Sequence, residues 1–156
     1  MPSYTGMTTR SVLGAFVSKT EDVAAVTGVD LFTVTGKVLI TCMTGEVTNA
    51  IHTTVTDYKL RIKTDNVDLS AAADINAKAV GTLLSLTGDA TDTLVTAAEG
   101  IKTVDHSDSG LANRIVGLAG GTCVIQSNRT AGAVGDEIVH SLFYVPLEPG
   151  ASVVAA

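Results

Sequence analysis

The sequence predicts an all-β protein: a single-domain β-sandwich or β-barrel, jelly-roll-like, with at most one short helix. Three observations carry that expectation. β-Branched residues dominate Leu31 to Ala50, LFTVTGKVLITCMTGEVTNA. Thr-Gly steps recur at 27–28, 35–36 and 44–45, a spacing of eight or nine residues that suits short strands joined by tight turns. Residues 51–63, IHTTVTDYKLRIK, alternate apolar and polar side chains with the period of a half-buried strand. A chain of 156 residues fits one domain, 1–156. Residues 1–20 read as an extended N-terminal arm and first strand, and 148–156 as a C-terminal tail.

Taken in order, residues 1–10 are small and polar, and SVLGAFVS, 11–18, is a first strand weakened by Gly14. In the central stretch, LFTVT and KVLITCM are each closed by a Thr-Gly step, and a third run begins at Glu46-Val47-Thr48. This pattern predicts a hairpin or meander whose glycines sit where the chain reverses. Val38, Ile40 and Cys42 fall on one face, and Leu39, Thr41 and Met43 on the other. Both faces are largely apolar, so the strand is buried on both sides, in a sandwich or against another subunit. In 51–63, Tyr58, Leu60 and Ile62 point inward, while Asp57, Lys59, Arg61 and Lys63 form a solvated face.

Thr64-Asp65-Asn66 makes a turn. Ser70 is placed to cap a short helix over AAADINAKAV, with Ile75, Ala79 and Val80 inward. GTLLSL, 81–86, returns to strand. Residues 91–109 are polar and Asp-rich, a long loop with one edge strand and a turn at 105–110. ANRIVGLA and TCVIQS, divided by Gly120-Gly121, carry a hairpin signal. AGAVG, 131–135, is a further turn, and EIVHSLFYVPL, 137–147, is the last strand, with Pro146 implying that it ends at an edge. The tail EPGASVVAA docks on a neighbour or on its own sheet.

Charged residues make up 17% of the chain, below the usual ~25%, and mean hydropathy is +0.36. No apolar run approaches the ~18 residues of a membrane span, so no membrane is expected. The apolar surplus points to the core or to extensive contact between subunits. Net charge is −6, and the ten basic residues are scattered, so nucleic acid is not an expected partner. MPSYTGMTTRSVLGAFVSKT lacks a basic segment followed by a long apolar one, and no secretory signal is expected. Cys42 and Cys123 read as free thiols in apolar strands, with no CxxC and no zinc spacing; sequence alone leaves their separation open.

Reactive constellations are missing from the pattern. His52, His106 and His140 show no HxH, HExxH or HxxxE spacing. DHSDSG, 105–110, lacks the Glu that closes a cation loop, and GLAGGT, 117–122, lacks the Lys of a phosphate-binding loop. There is no GxGxxG and no GxSxG elbow. Glu46, Asp57 and Glu137 are dispersed acids. Three Tyr, three Phe and no Trp leave little for stacking sugars or bases. The expectation is therefore no enzyme, no catalytic residue, no cofactor and no metal. Two rival classes are a ligand-binding β-barrel with His52, His140 and Tyr58 lining a pocket, and a small hydrolase assembled from dispersed acids.

Three segments, DLFTVTGKVLITCMTGEVT (30–48), AVGTLLSLTGDATD (79–92) and SLFYVPLEPGASVVAA (141–156), give the chain a resemblance. It resembles a family of small virion structural proteins of tailed bacteriophages. The resemblance implies a capsid decoration (cement) protein on the outside of the head, with a tail or fibre component as the alternative. It further implies a homo-oligomer, a trimer foremost, bound to the major capsid protein. Such a protein is made in the host cytoplasm and resides in the virion, at the capsid surface. On that basis 1–20 and 148–156 are expected to reach neighbouring chains while the sheets hold the shape.

Overall fold

The computed structural model describes residues 14–23, 28–52, 55–97, 114–117 and 121–156. Among them, the apolar, β-branched runs form strands that pair antiparallel in two sheets. Sheet A holds β1 (Ala15–Asp22), β10 (Glu137–Pro146), β3 (Val38–Asn49), β6 (Leu83–Ser85) and β7 (Val95–Ala97) in that order. β8 (Arg114–Val116) pairs with the first residues of β3, beyond the stretch that β6 occupies. Sheet B runs β11 (Ser152–Ala155), β2 (Val29–Thr35), β9 (Thr122–Asn128), β4 (Lys59–Ile62) and β5 (Val67–Asp68). The two sheets form a β-sandwich and no closed barrel, and no helix occurs among the described residues. One core fills the space between them. Val38, Ile40, Met43, Val47, Leu84 and Leu142 face it from sheet A, and Phe32, Val34, Leu60 and Ile125 from sheet B.

The central stretch is where the expected and observed structures part. β2 and β3 do not form a hairpin: they lie in opposite sheets, and Thr35-Gly36-Lys37 carries the chain across. Each strand has an apolar face to bury, and crossing lets the two faces meet instead of lying side by side. The runs before and after Gly120-Gly121 behave likewise, with β8 in sheet A and β9 in sheet B. The two crossings touch, since Gly36 N donates to Gly121 O at 2.9 Å. Gly117, at φ +122, passes so close that a Cβ would lie 1.9 Å from the Gly36 carbonyl oxygen.

The Thr44-Gly45 step does not turn the chain either. β3 continues through it, and Gly45 sits opposite His140. A Cβ there would come within 2.9 Å of Ile138 Cγ2 and 3.3 Å of His140 Nδ1, so the glycine makes room for inward side chains. The assignment of faces also changes along β3. A bulge at Thr41, seen as a register shift opposite Phe143 and Tyr144, inserts one extra residue. Val38 and Ile40 therefore share the core face with Met43, Gly45 and Val47, while Leu39, Cys42, Thr44 and Glu46 face outward.

The helix expected over AAADINAKAV does not form. Ser70 Oγ accepts from Leu60 N at 3.1 Å and so is taken up by β4. Ala73 bridges Tyr58 through two backbone bonds of 2.8 and 3.0 Å, and Ile75 N reaches Val55 O at 3.0 Å. The Asp74 carboxylate accepts from Asn76 N, an Asx turn that outcompetes helical bonding. The segment is thereby laid out along residues 55–58.

The expected strands at 51–63 and 81–86 shorten to β4 and β6, and the edge strand expected within 91–109 is met by β7 at the end of sheet A, residues 98–109 lying outside the described ones. Within β4 the inward and outward residues are those expected, with Tyr58 inward just before it. β10 ends at Pro146 but lies inside sheet A, between β1 and β3, and Pro146 falls beyond the last β1 pair, Ala15 with Tyr144. The tail docks on its own sheet, as β11 on β2. The arm at 1–10, the turn at 105–110, His106 and Gly120 lie outside the described residues.

Replacing Gly117 with Ala is expected to lower stability by about 2–4 kcal/mol, because the new methyl group meets a backbone carbonyl at a positive φ. Gly150→Ala shares the positive φ but meets no atom within 4 Å, so a smaller loss is expected. Urea unfolding of the two variants measures the difference.

Candidate functional site

Alternation along β1 turns Glu21 inward, opposite Ile138, where it has no exposed surface. A buried carboxylate needs donors, and it finds four. Tyr58 Oη donates to Oε2 at 2.7 Å, and His140 Nε2 lies 2.7 Å from the same oxygen. Because a carboxylate only accepts, the imidazole proton belongs on Nε2. Arg129 Nη1 reaches Oε1 at 2.5 Å, and Ser127 Oγ donates to that oxygen too. Glu21 and His140 come from sheet A, Ser127 from β9 of sheet B, and Tyr58 and Arg129 from beside β4 and β9. The cluster therefore ties the two layers together.

Burial alone would raise the Glu21 pKa. His140, Arg129 and Ser127 outweigh it and hold the group at about 2, against 4.5 for an ordinary glutamate. Tyr58 moves the other way. Its burial and the adjacent Glu21 charge raise its pKa well above the normal phenol value, so it stays a protonated donor. An acid, an imidazole and a phenol in contact resemble proton-transfer machinery, but all three are buried. The cavity that touches His140 measures about 10 Å³, the size of one water at most.

The pocket expected from His52, His140 and Tyr58 is not assembled. Tyr58 and His140 do meet, with Oη 3.0 Å from Nε2 and their rings parallel, but inside the core. His52 is 72% exposed and pairs with the buried Asp136 carboxylate instead. A larger groove of about 370 Å³ opens between β8 and the β4–β5 pair, lined by Ile62, Val67, Leu69, Ile115 and Cys123 with Asp65 at its side. Among the described residues it offers a single carboxylate, short of the convergent polar groups that orient a ligand. Among the described residues no three His, Cys, Asp or Glu side chains gather as a metal site. Both cysteines are free thiols, Cys123 buried and Cys42 half-buried. Burial raises both pKa values, with the Asp65 charge adding to the shift at Cys123, which disfavours the reactive thiolate.

The outer faces of the sheets differ sharply. On sheet B, Arg61 donates to Gln126 Oε1 at 2.8 and 3.0 Å, and Gln126 passes a 2.9 Å bond to Asp30. Lys63 meets Asp30 and Lys59 meets Asp68, both at 2.8 Å. The Lys63 bond is the main reason that the Asp30 pKa is lowered. These residues make a solvated, partnered face, beside which Val154, 54% exposed, stands in a row with Thr33 and Val124.

Sheet A instead presents apolar side chains that are exposed or half-buried among the described residues. Register aligns Ile115, Leu39 and Val145 across β8, β3 and β10. The next row aligns Cys42, Phe143 and Phe16, with the two phenyl rings 5.0 Å apart. Ile115 is 67% and Phe16 54% exposed. Comparison with protein-family models, curated proteins and solved structures finds no match to the chain.

The buried cluster generates two predictions. Because the folded-state pKa of Glu21 lies below its unfolded value, the stability it contributes is complete above about pH 4.5 and is lost toward pH 2. Its part is about 3 kcal/mol, and Glu21→Gln should flatten that portion of a stability–pH curve obtained by urea unfolding. Separately, Arg129→Met strands the carboxylate and should cost about 3–5 kcal/mol, whereas adding Glu21→Leu should restore most of it. A double variant no better than Arg129→Met would show that the cation, not the stranded anion, dominates.

Proposed function

We propose that this chain is a non-enzymatic structural protein of a tailed-bacteriophage particle, a capsid decoration protein that binds outside the head and bridges shell subunits. The observation that supports it best is the asymmetry of the sandwich. Sheet B turns a charged, hydrogen-bonded face to solvent, while sheet A offers two adjacent rows of apolar side chains. Exposed apolar patches of this kind mark surfaces that meet other proteins. Glu21 and His140, the acid and imidazole that meet in the buried cluster, lie inside the core. The resemblance of 30–48, 79–92 and 141–156 to phage virion proteins supplies the setting.

In this reading the sandwich is a rigid block and the outer face of sheet A is its adhesive surface. The tail lies on its own sheet, where β11 pairs with β2 as the edge strand, and Lys19 Nζ bonds the Ala156 carbonyl. A homotrimer would make each shell contact three times, so weak single contacts would add up to a durable attachment. An acidic chain also suits the outside of a particle better than the neighbourhood of packaged DNA.

Electron microscopy of phage particles grown with a tagged copy of the chain is expected to place it on the head. Replacing Phe16 and Phe143 with Ser should reduce its occupancy roughly tenfold without unfolding it, as loss of central apolar anchors does at other interfaces. Lys59→Ser, on the opposite face, should leave occupancy within about twofold. A chain that never joins particles, or that joins them equally well without the two phenyl rings, would overturn the proposal.

A further inference from the structure

The outer face of sheet A is graded along its strands. Its first two rows are apolar: Ile115, Leu39 and Val145, then Cys42, Phe143 and Phe16. The third is a row of hydroxyls, Thr44, Ser141 and Ser18. Beyond it the face becomes acidic. Glu46 lies opposite Val139, and Asp22 lies directly opposite Glu137 across the β1–β10 pair. Four residues of strand separate Phe143 from Val139, about 13 Å.

Two carboxylates facing each other on neighbouring strands are locally unfavourable. Both are held in place, Glu137 by a 2.7 Å bond from Thr48 Oγ1 and Asp22 by a 3.3 Å bond from Gly135 N. Among the described side chains, every formal charge that register places on this face is negative. A sequence that breaks a pairing rule on its most apolar surface points to a partner that resolves the conflict.

We propose that the outer face of sheet A receives a protein surface carrying an apolar anchor and, about 13 to 20 Å along it, basic side chains that meet Glu46 and then Asp22 and Glu137. This rests on the reading of sheet A as a docking face and names the chemistry of what docks there. A second copy of the chain suits it poorly. Each copy carries −6, and on sheet B Lys59 and Lys63 are already paired with Asp68 and Asp30, while Arg61 is bonded to Gln126. Bringing two such chains together would oppose like charges where the face needs opposite ones.

The test uses the full chain and two synthetic peptides of equal length that share two leucines at one end. One carries two lysines at the other end and its counterpart two glutamates. Binding is followed by backbone NMR shifts, and self-association by light scattering. The lysine peptide should bind at least ~10-fold tighter at about 20 mM salt, with the preference fading as salt rises. It should shift amides in β1, β3 and β10. The triple variant D22N, E46Q and E137Q should lose the preference but keep residual binding, and F16S with F143S should lose both.

Equal binding of the two peptides, or no binding of either, would overturn the proposal. So would self-association that disappears in the F16S and F143S variant, because a second copy would then occupy the face. Any of these results leaves the particle-decoration reading to its own test. Conversely, particles that never carry the chain would remove that reading while leaving the peptide preference measurable.

Discussion

A carboxylate stripped of solvent between two sheets sets the terms for the rest of this fold. Glu21 sits near the end of an edge strand, where a polar side chain could have turned to water. Instead it turns inward, and its charge is tolerable only while Tyr58, Ser127, Arg129 and His140 surround it. Those donors come from both layers and from segments far apart in sequence. The cluster thus specifies which residues of the two sheets face each other, a constraint that apolar packing alone leaves loose. Gly45 belongs to the same device, since its missing side chain provides room beside the His140 ring.

With the layers fixed in this way, the outer surfaces are free to diverge. Sheet B has a chain of polar partners from Arg61 through Gln126 to Asp30 and Lys63. That chain keeps its outer face stable in water without any neighbour. Sheet A has no such ladder at its apolar end. The low charge content of the sequence is therefore not spread evenly; it is concentrated as one uncharged half-face.

The class of fold was legible in the sequence because β-branched runs, glycine steps and the alternation of 58–63 are local signals. The connections were not. A Thr-Gly step looks the same whether it reverses a hairpin, crosses between sheets as at Gly36, or runs straight through a strand as at Gly45. What separates the three cases is the partner across the gap: Ala151 and Glu148 at Gly36, Ile138 and His140 at Gly45. Those contacts join residues about a hundred positions apart. The faces of β3 were misassigned for a related reason, because a one-residue bulge at Thr41 inverts the alternation and leaves no local trace. The alanines of 71–79 favour helix on propensity, but pairing with 55–58 overrides it.

The cluster around Glu21 was equally hidden, since it needs both sheets to be placed before its members meet. Tyr58 and His140 could be singled out, but their partner is a glutamate in a strand of ordinary polarity. Their union leaves Glu21, Tyr58 and His140 buried between the sheets. What distinguishes the exterior is a graded face, apolar at one end and acidic at the other, on the sheet that those buried groups hold in position.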